Sequence, residues 1–194
     1  MKNIITVSRE FGSGGRSIAK NLAETLGYAY YDKEIIEKMV KETGLSKDFL
    51  EKRGEYATGN NLFSYAFVGR MPNGESLEDI IWKNQRELVL KLAEKGKCVI
   101  VGRCADFILA DRTDCLHVFI HADEAYKMDR IVRLYGETDT KPQKRLRDKD
   151  KKRSVNYKYY TGRDWGKASN YHVCLKSSEF GTECCVEILK GLAQ

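Results

Sequence analysis

SREFGSGGRS, Ser8 to Ser17, lies between a short β-branched run, IITVS (Ile4 to Ser8), and a stretch with helical periodicity. Four small residues, Gly12, Ser13, Gly14 and Gly15, sit directly before that helix. Glycine lets backbone N–H groups turn inward around a phosphate, and a helix N-terminus adds its partial positive charge. Arg16 adds a formal cation, and Ser17 a hydroxyl placed to ligate magnesium. The phosphate-loop pattern asks for Gly, four residues, then Gly-Lys-Ser/Thr. Here Gly15-Arg16-Ser17 fills the end with arginine, and Glu10 stands at the leading glycine position. A guanidinium binds phosphate as a planar fork rather than a compact ammonium. Two other readings stay open. One is a dinucleotide-binding turn, with Gly12-x-Gly14 and Ser17 as a degraded G-x-G-x-x-G and Asp32 near a ribose. The three residues Arg9 to Phe11, between strand and first glycine, speak against it. The other is a plain Ser-Gly-Gly turn.

Outward from this loop the chain alternates strand and helix. SIAKNLAETLG places Ile18, Leu22 and Leu26 one turn apart, with Gly27 as a C-terminal stop. YAYYD (Tyr28 to Asp32) reads as a second strand, and KEIIEKMVKETG as a helix closed by Gly44. From Gly54 to Gly74 no period is sustained, which predicts a mobile loop or insertion. Ser76, with Asp79 three residues on, opens a long helix that carries Leu77, Ile81, Leu88 and Leu92 and stops at Gly96. CVIVG (Cys98 to Gly102) and CLHVFIH (Cys115 to His121) are further strands, followed by a helix from Asp123 to Tyr135. YHVCL (Tyr171 to Leu175) is a fifth strand, and a last helix runs from Thr182 to Leu192. Five strands with intervening helices imply an α/β fold, a parallel sheet covered on both faces. Such sheets bind ligands at the C-terminal ends of their strands.

Two other strand ends carry chemistry. Asp32, after the second strand, is placed either to orient magnesium beside the loop or to cap the next helix. Arg103 follows Gly102 at the end of the third strand, where an arginine calls for an anion. That anion is a substrate phosphate or a carboxylate such as Asp106. Cys104 reads as a small buried thiol, and His117, His121 and His172 as packing or strand-end residues.

The chain has 194 residues and is 42% hydrophobic, enough for one packed domain. No apolar run approaches the roughly 20 residues that span a bilayer, and MKNIITVSRE lacks a signal-peptide core. A compact cytoplasmic protein is expected. The six cysteines form no Cys-x-x-Cys pair, so reduced thiols are expected rather than a metal site or disulfides. Lys141 to Arg153, KPQKRLRDKDKKR, holds eight basic and two acidic residues, and its +6 equals the net charge of the whole chain. One concentrated cationic segment calls for a local anionic partner. Tyr157, Tyr159 and Tyr160 follow it. Basic residues with aromatics also suit RNA, but the remainder of the chain is neutral, so nucleic acid is not the favoured partner. Arginines on a hinged helix, closing over a transferring phosphoryl group, use the segment more sharply. An acceptor phosphate is already ionised near neutral pH and needs no general base.

The order SREFGSGGRSIAKNLAETLG, YYDKEII, VIVGRCADFIL, RLRDKDKKRSVNYKYYTGRDWG and YHVCLKSS resembles the bacterial cytidylate kinase-like family, relatives of cytidylate kinase among the P-loop nucleoside monophosphate kinases. The resemblance implies a three-layer P-loop NTPase fold in a single kinase domain. Its core would be residues 1–32, 76–140 and 168–194, with a nucleoside-monophosphate-binding insertion over 33–75 and a basic helical lid over 141–167. By position, Gly12, Ser13, Gly14, Gly15, Arg16 and Ser17 would hold ATP phosphates, with Mg2+ on Ser17. Arg103 would take the monophosphate, Arg147 and Arg153 around Asp150 match lid arginines, and Asp32 matches the aspartate after strand two. Departures are Arg16 for the loop lysine, Gly-Arg-Cys for Gly-Arg-Asp after strand three, Lys176 near strand five and a longer lid. The expected activity is transfer of the γ-phosphoryl of MgATP to a CMP- or dCMP-like nucleoside monophosphate. The alternative is an ATP-binding regulatory module with little transfer. A homodimer is compatible with the helical faces, which do not distinguish it from a monomer.

Overall fold

The computed structural model describes residues 2–32, 35, 38 and 77–194. The expected insertion, the helix closed by Gly44 (apart from Ile35 and Lys38) and the Ser76 cap lie outside the described residues. The elements in chain order begin with β1 (Ile4–Arg9), α1 (Gly15–Leu26), β2 (Ala29–Tyr31), α2 (Leu77–Glu94) and β3 (Cys98–Val101). A short α3 (Ala105–Ile108) leads into β4 (Cys115–His121), α4 (Glu124–Tyr135) and α5 (Pro142–Thr161). β5 (Val173–Lys176) and α6 (Ser177–Ala193) complete the fold.

The five strands form one parallel sheet in the order β2-β3-β1-β4-β5. β1 is central because every residue of IITVS is buried, as a strand covered on both faces requires. Its side chains alternate between two cores. Ile5 and Val7 pack with Val99, Val118 and Ile120 beneath Ile18 and Leu22 of α1 and Leu189 of α6. Ile4 packs with Cys98, Ile100 and Cys115 beneath Leu88 and Leu92 of α2 and Leu109. Three layers result, α1 and α6 on one side of the sheet and α2 and α3 on the other. Leu22 is fully buried, so truncation to alanine costs about 2–5 kcal/mol.

Helix boundaries follow their punctuation. α1 ends where Gly27 turns left-handed (φ 66°) and donates its N–H back to Ala23 and Glu24 carbonyls. β5 starts two residues later than YHVCL predicts, because Tyr171 belongs to the turn after Asn170. α6 begins at Ser177 rather than Thr182 and breaks at Gly181 (φ 73°, ψ 167°). The polar Ser177 and Ser178 hide its first turn from a hydrophobic period. All six cysteines are free. Burial pushes the Cys98 thiol up to about 12 and that of Cys115 up to about 11, so both are protonated packing groups. Among the described residues no helix is long and apolar enough to cross a membrane.

Candidate active site

Strand register brings Arg9, Gly102, Asp32 and His121 to one edge of the sheet, with β1 between β3 and β4. The loop leaving β1 is fixed before it meets a ligand. Glu10, at the leading glycine position, accepts hydrogen bonds from Lys127 Nζ (2.7 Å) and from the N–H of Ala122 (3.2 Å), tying the loop to α4. Gly12 has φ 83°, and a Cβ there would lie 2.9 Å from the Lys127 carbonyl oxygen. At Gly15 an added Cβ would land on the Arg9 side chain. Ser13 is buried; its hydroxyl donates to the Glu10 carbonyl (2.9 Å), and its own carbonyl accepts from Ser177 Oγ (2.5 Å). Ser13 therefore shapes the turn. Gly15 opens α1, whose first backbone N–H groups face the loop without a side-chain cap.

Gly12, Gly14, Gly15, Arg16 and Ser17 line one cavity, together with Arg9, Arg130 and Arg153. Arg130 of α4 reaches the loop, donating from Nη2 to Ser17 Oγ (2.9 Å). Arg16 is largely exposed and forms an ion pair with Asp32.

A second cavity is lined by Ser8, Asp32, Arg103, Asn156 and Trp165, and again by Arg9 and Arg153. Its floor is the turn after β3, where Gly102, Arg103 and Cys104 take successive left-handed conformations (φ 71°, 60° and 53°). Such a backbone costs about 1–3 kcal/mol at each non-glycine residue. It is held by Gly102 N–H on the Val7 carbonyl (3.0 Å) and by Gln85 Nε2 on the Arg103 carbonyl (3.0 Å). A Cβ at Gly102 would land on the Arg9 guanidinium. Arg103 Nη1 is buried and has no hydrogen-bond partner among the described residues. Among the described residues Asp106 is not bonded to Arg103: it accepts instead from Tyr157 Oη (2.6 Å) and Ser8 Oγ (3.4 Å). Burial pushes the Asp106 carboxyl up, and burial next to Asp106 also pushes up the Tyr157 hydroxyl.

The basic segment forms α5, and one of its faces closes on both cavities. Asp150 Oδ1 accepts from the Phe11 N–H (2.7 Å) and from Arg153 Nη1 (3.1 Å). Arg153 also donates to the Arg9 carbonyl (3.3 Å) and lies over the Phe11 ring, 5.7 Å from its centroid. At the far end of α5, Tyr160 stacks on Trp82 of α2 (4.5 Å, 9° between planes). Arg153 thus reaches the site, whereas Arg147 is exposed and lines neither cavity. His117 bonds Thr6 through Nδ1 (2.8 Å), stacks on His172 and lines neither cavity.

Arg9, Arg130, Asn156 and Trp165 are lining residues that the sequence reading passes over. Arg9 had a signal, as the last residue of a strand whose C-terminal end is where ligands bind. Arg130 had a weaker one: it follows Lys127 by three on α4 and so shares its face. The orphaned Arg103 Nη1 and the cationic, glycine-lined loop fit phosphate groups in both cavities. Ser17 keeps a lone pair beyond its bond to Arg130, which suits a magnesium ion held mainly by nucleotide phosphates.

The model of the cytidylate kinase-like family matches residues 4–179. Among solved structures, an uncharacterized protein from Eubacterium ventriosum is 26% identical with a TM-score of 0.75, the match covering 98% of this chain and 97% of that one. Shikimate kinase from Acinetobacter baumannii, in complex with shikimate, is 15% identical (TM-score 0.55, 98% and 92% covered). A gluconokinase from Sinorhizobium meliloti is 14% identical (TM-score 0.54, 99% and 94% covered). The last two share the fold, that of P-loop kinases. No curated protein matches the chain.

Proposed function

Because the chain belongs to the cytidylate kinase-like family, we propose that it transfers the γ-phosphoryl of MgATP to a nucleoside monophosphate of the CMP or dCMP type. The observation that carries this reading is the pair Arg9 and Arg153, which line both cavities. One cavity is built on a glycine loop and the other on Arg103, whose Nη1 has no hydrogen-bond partner among the described residues. A group passing between them stays beside the same two cations.

The glycine turn and the N-terminus of α1 receive the nucleotide phosphates, with Arg130 adding charge next to Ser17. Arg103 takes the acceptor phosphate, its Nη1 gaining the partner it lacks. An acceptor phosphate oxygen forms a bond to Pγ while the bond from Pγ to the β-phosphate bridging oxygen breaks, and ADP departs. Negative charge spreads over the equatorial oxygens of the transferring group, and Arg153 and Arg9 offset it there. Ser17 would hold a magnesium ion, which when bound would supply further neutralisation. Asp32 orients Arg16 through their ion pair. The core, insertion and lid over 1–32, 76–140 and 168–194, 33–75 and 141–167 belong to this proposal.

A second reading, an ATP-binding regulatory module, is favoured by one observation: the loop cation Arg16 is exposed and paired with Asp32. Release of ADP from MgATP separates the two. A kinase releases ADP in proportion to one or two added monophosphates, whereas a binding module releases none with any of CMP, dCMP, UMP, AMP or GMP.

A further inference from the structure

The cavity around Arg103 contains a buried polar atom that phosphate binding does not use. Asn156, on α5, is 8% exposed and lines that cavity. Its Oδ1 is buried and has no hydrogen-bond partner among the described residues. Buried polar atoms are almost always paired, so an exception in a cavity wall points to a partner that arrives with a ligand. Helix spacing explains how the atom comes to be there. Asn156 follows Arg153 by three positions and so lies one turn further along the same inward face. Its neighbour Tyr157 spends its hydroxyl on Asp106. The Asn156 oxygen has no such use.

Two of the buried polar atoms in this cavity's wall differ in kind. Arg103 Nη1 is a cationic donor; Asn156 Oδ1 is a neutral acceptor. Trp165 adds a flat apolar wall, its ring held edge-on to Phe119 (5.3 Å, 81°). We infer that Asn156 is a specificity-determining residue, accepting a hydrogen bond from the end of the acceptor remote from the phosphate held by Arg103. This rests on the phosphotransferase reading and narrows its substrate class. The acceptor is a phosphate monoester that presents a hydrogen-bond donor, an exocyclic base amine or a sugar hydroxyl, on a ring that packs against Trp165. A phosphate monoester without a donor leaves the amide oxygen buried and unpaired, and binds correspondingly worse.

Calorimetric titration of the full chain tests this. CMP, dCMP, UMP, inorganic phosphate and ATP are titrated into the wild type, Asn156→Leu and Asn156→Ala. CMP affinity falls about ten-fold or more in both variants, while affinity for ATP, whose cavity Asn156 does not line, stays the same and reports an intact fold. Wild-type affinity for UMP as weak as that of Asn156→Leu for CMP identifies the donor as the base amine. The same weakness for dCMP identifies it as the sugar hydroxyl. CMP affinity within two-fold of wild type in both variants overturns the inference, as does a loss that extends equally to inorganic phosphate. A wild type that binds ATP but none of the monophosphates overturns the phosphotransferase reading itself, and the inference with it.

Discussion

The backbone N–H of Phe11 donates a 2.7 Å hydrogen bond to Asp150 Oδ1, joining the phosphate loop to the basic helix across 139 positions of chain. The same oxygen receives Arg153 Nη1, so one carboxylate holds both the loop and the arginine that spans the two cavities. Asp150→Ala removes that shared carboxylate from both the arginine and the N–H. Steady-state kinetics are expected to show kcat/KM reduced by about ten-fold, the scale of one lost charge-assisted hydrogen bond. Asp150→Asn keeps an accepting oxygen and loses less. Equal losses in the two variants would contradict the latch.

Tyr157 and Asp106 form a buried pair beside the cavity around Arg103, 3% and 2% exposed, with Oη donating at 2.6 Å. Tyr157→Phe keeps the ring and removes the donor. The buried carboxylate then loses its shortest hydrogen bond, which costs about 1–3 kcal/mol of stability. Urea denaturation is the check: a lower midpoint with an unchanged slope is expected, and an unchanged midpoint refutes the pairing.

Burial, with His172 and Lys2 nearby, holds His117 down to about 4. The unfolded chain titrates this histidine near 6.5, so between pH 6.5 and 4 it binds more protons than the folded protein. Stability therefore falls as pH falls through that window, by about 1.4 kcal/mol per unit and about 3 kcal/mol in all at most. His117→Gln removes this contribution. Denaturation midpoints of wild type and variant are expected to converge towards pH 4, and a constant difference would show that His117 does not titrate there.

Much of the fold was legible because its signals are local. β1, α1 and Gly27 stand where a β-branched run, a helical period and a left-handed glycine require them. The α5 residues were harder. Its inward face runs Leu146, Asp150, Arg153 and Tyr157, spaced four, three and four, a helical stripe built of mixed polar and apolar groups that a hydrophobic period does not detect. Arg147 sits one position, about 100°, round from Leu146 and so faces solvent, although composition alone makes it equivalent to Arg153. Asn156 carries no charge and no motif; its orphaned oxygen exists only once α5 is docked. The partners of Asp106 were hidden for the same reason, since Tyr157 and Ser8 meet it only in three dimensions.

Arg16 stands where the phosphate-loop pattern has lysine, and its partner is Asp32. Arg16→Lys places a compact ammonium at the loop. If the chain is a kinase, ADP release in the presence of its monophosphate rises several-fold; a binding module gains none. A fall in release would show that the arginine fork, held by Asp32, is the better phosphate ligand here.

The proposed reaction carries a phosphoryl group from the loop cavity to the one containing Arg103. Mass-spectrometric detection of nucleoside diphosphate, formed from CMP and unlabelled MgATP, tests it most directly when wild type and Arg103→Ala are run side by side. One CDP is expected for each ADP in the wild type, with kcat/KM for CMP about 100-fold lower in the variant, as loss of a charged phosphate contact implies. ATP bound by the wild type, with no diphosphate formed from CMP or any other monophosphate, would contradict it.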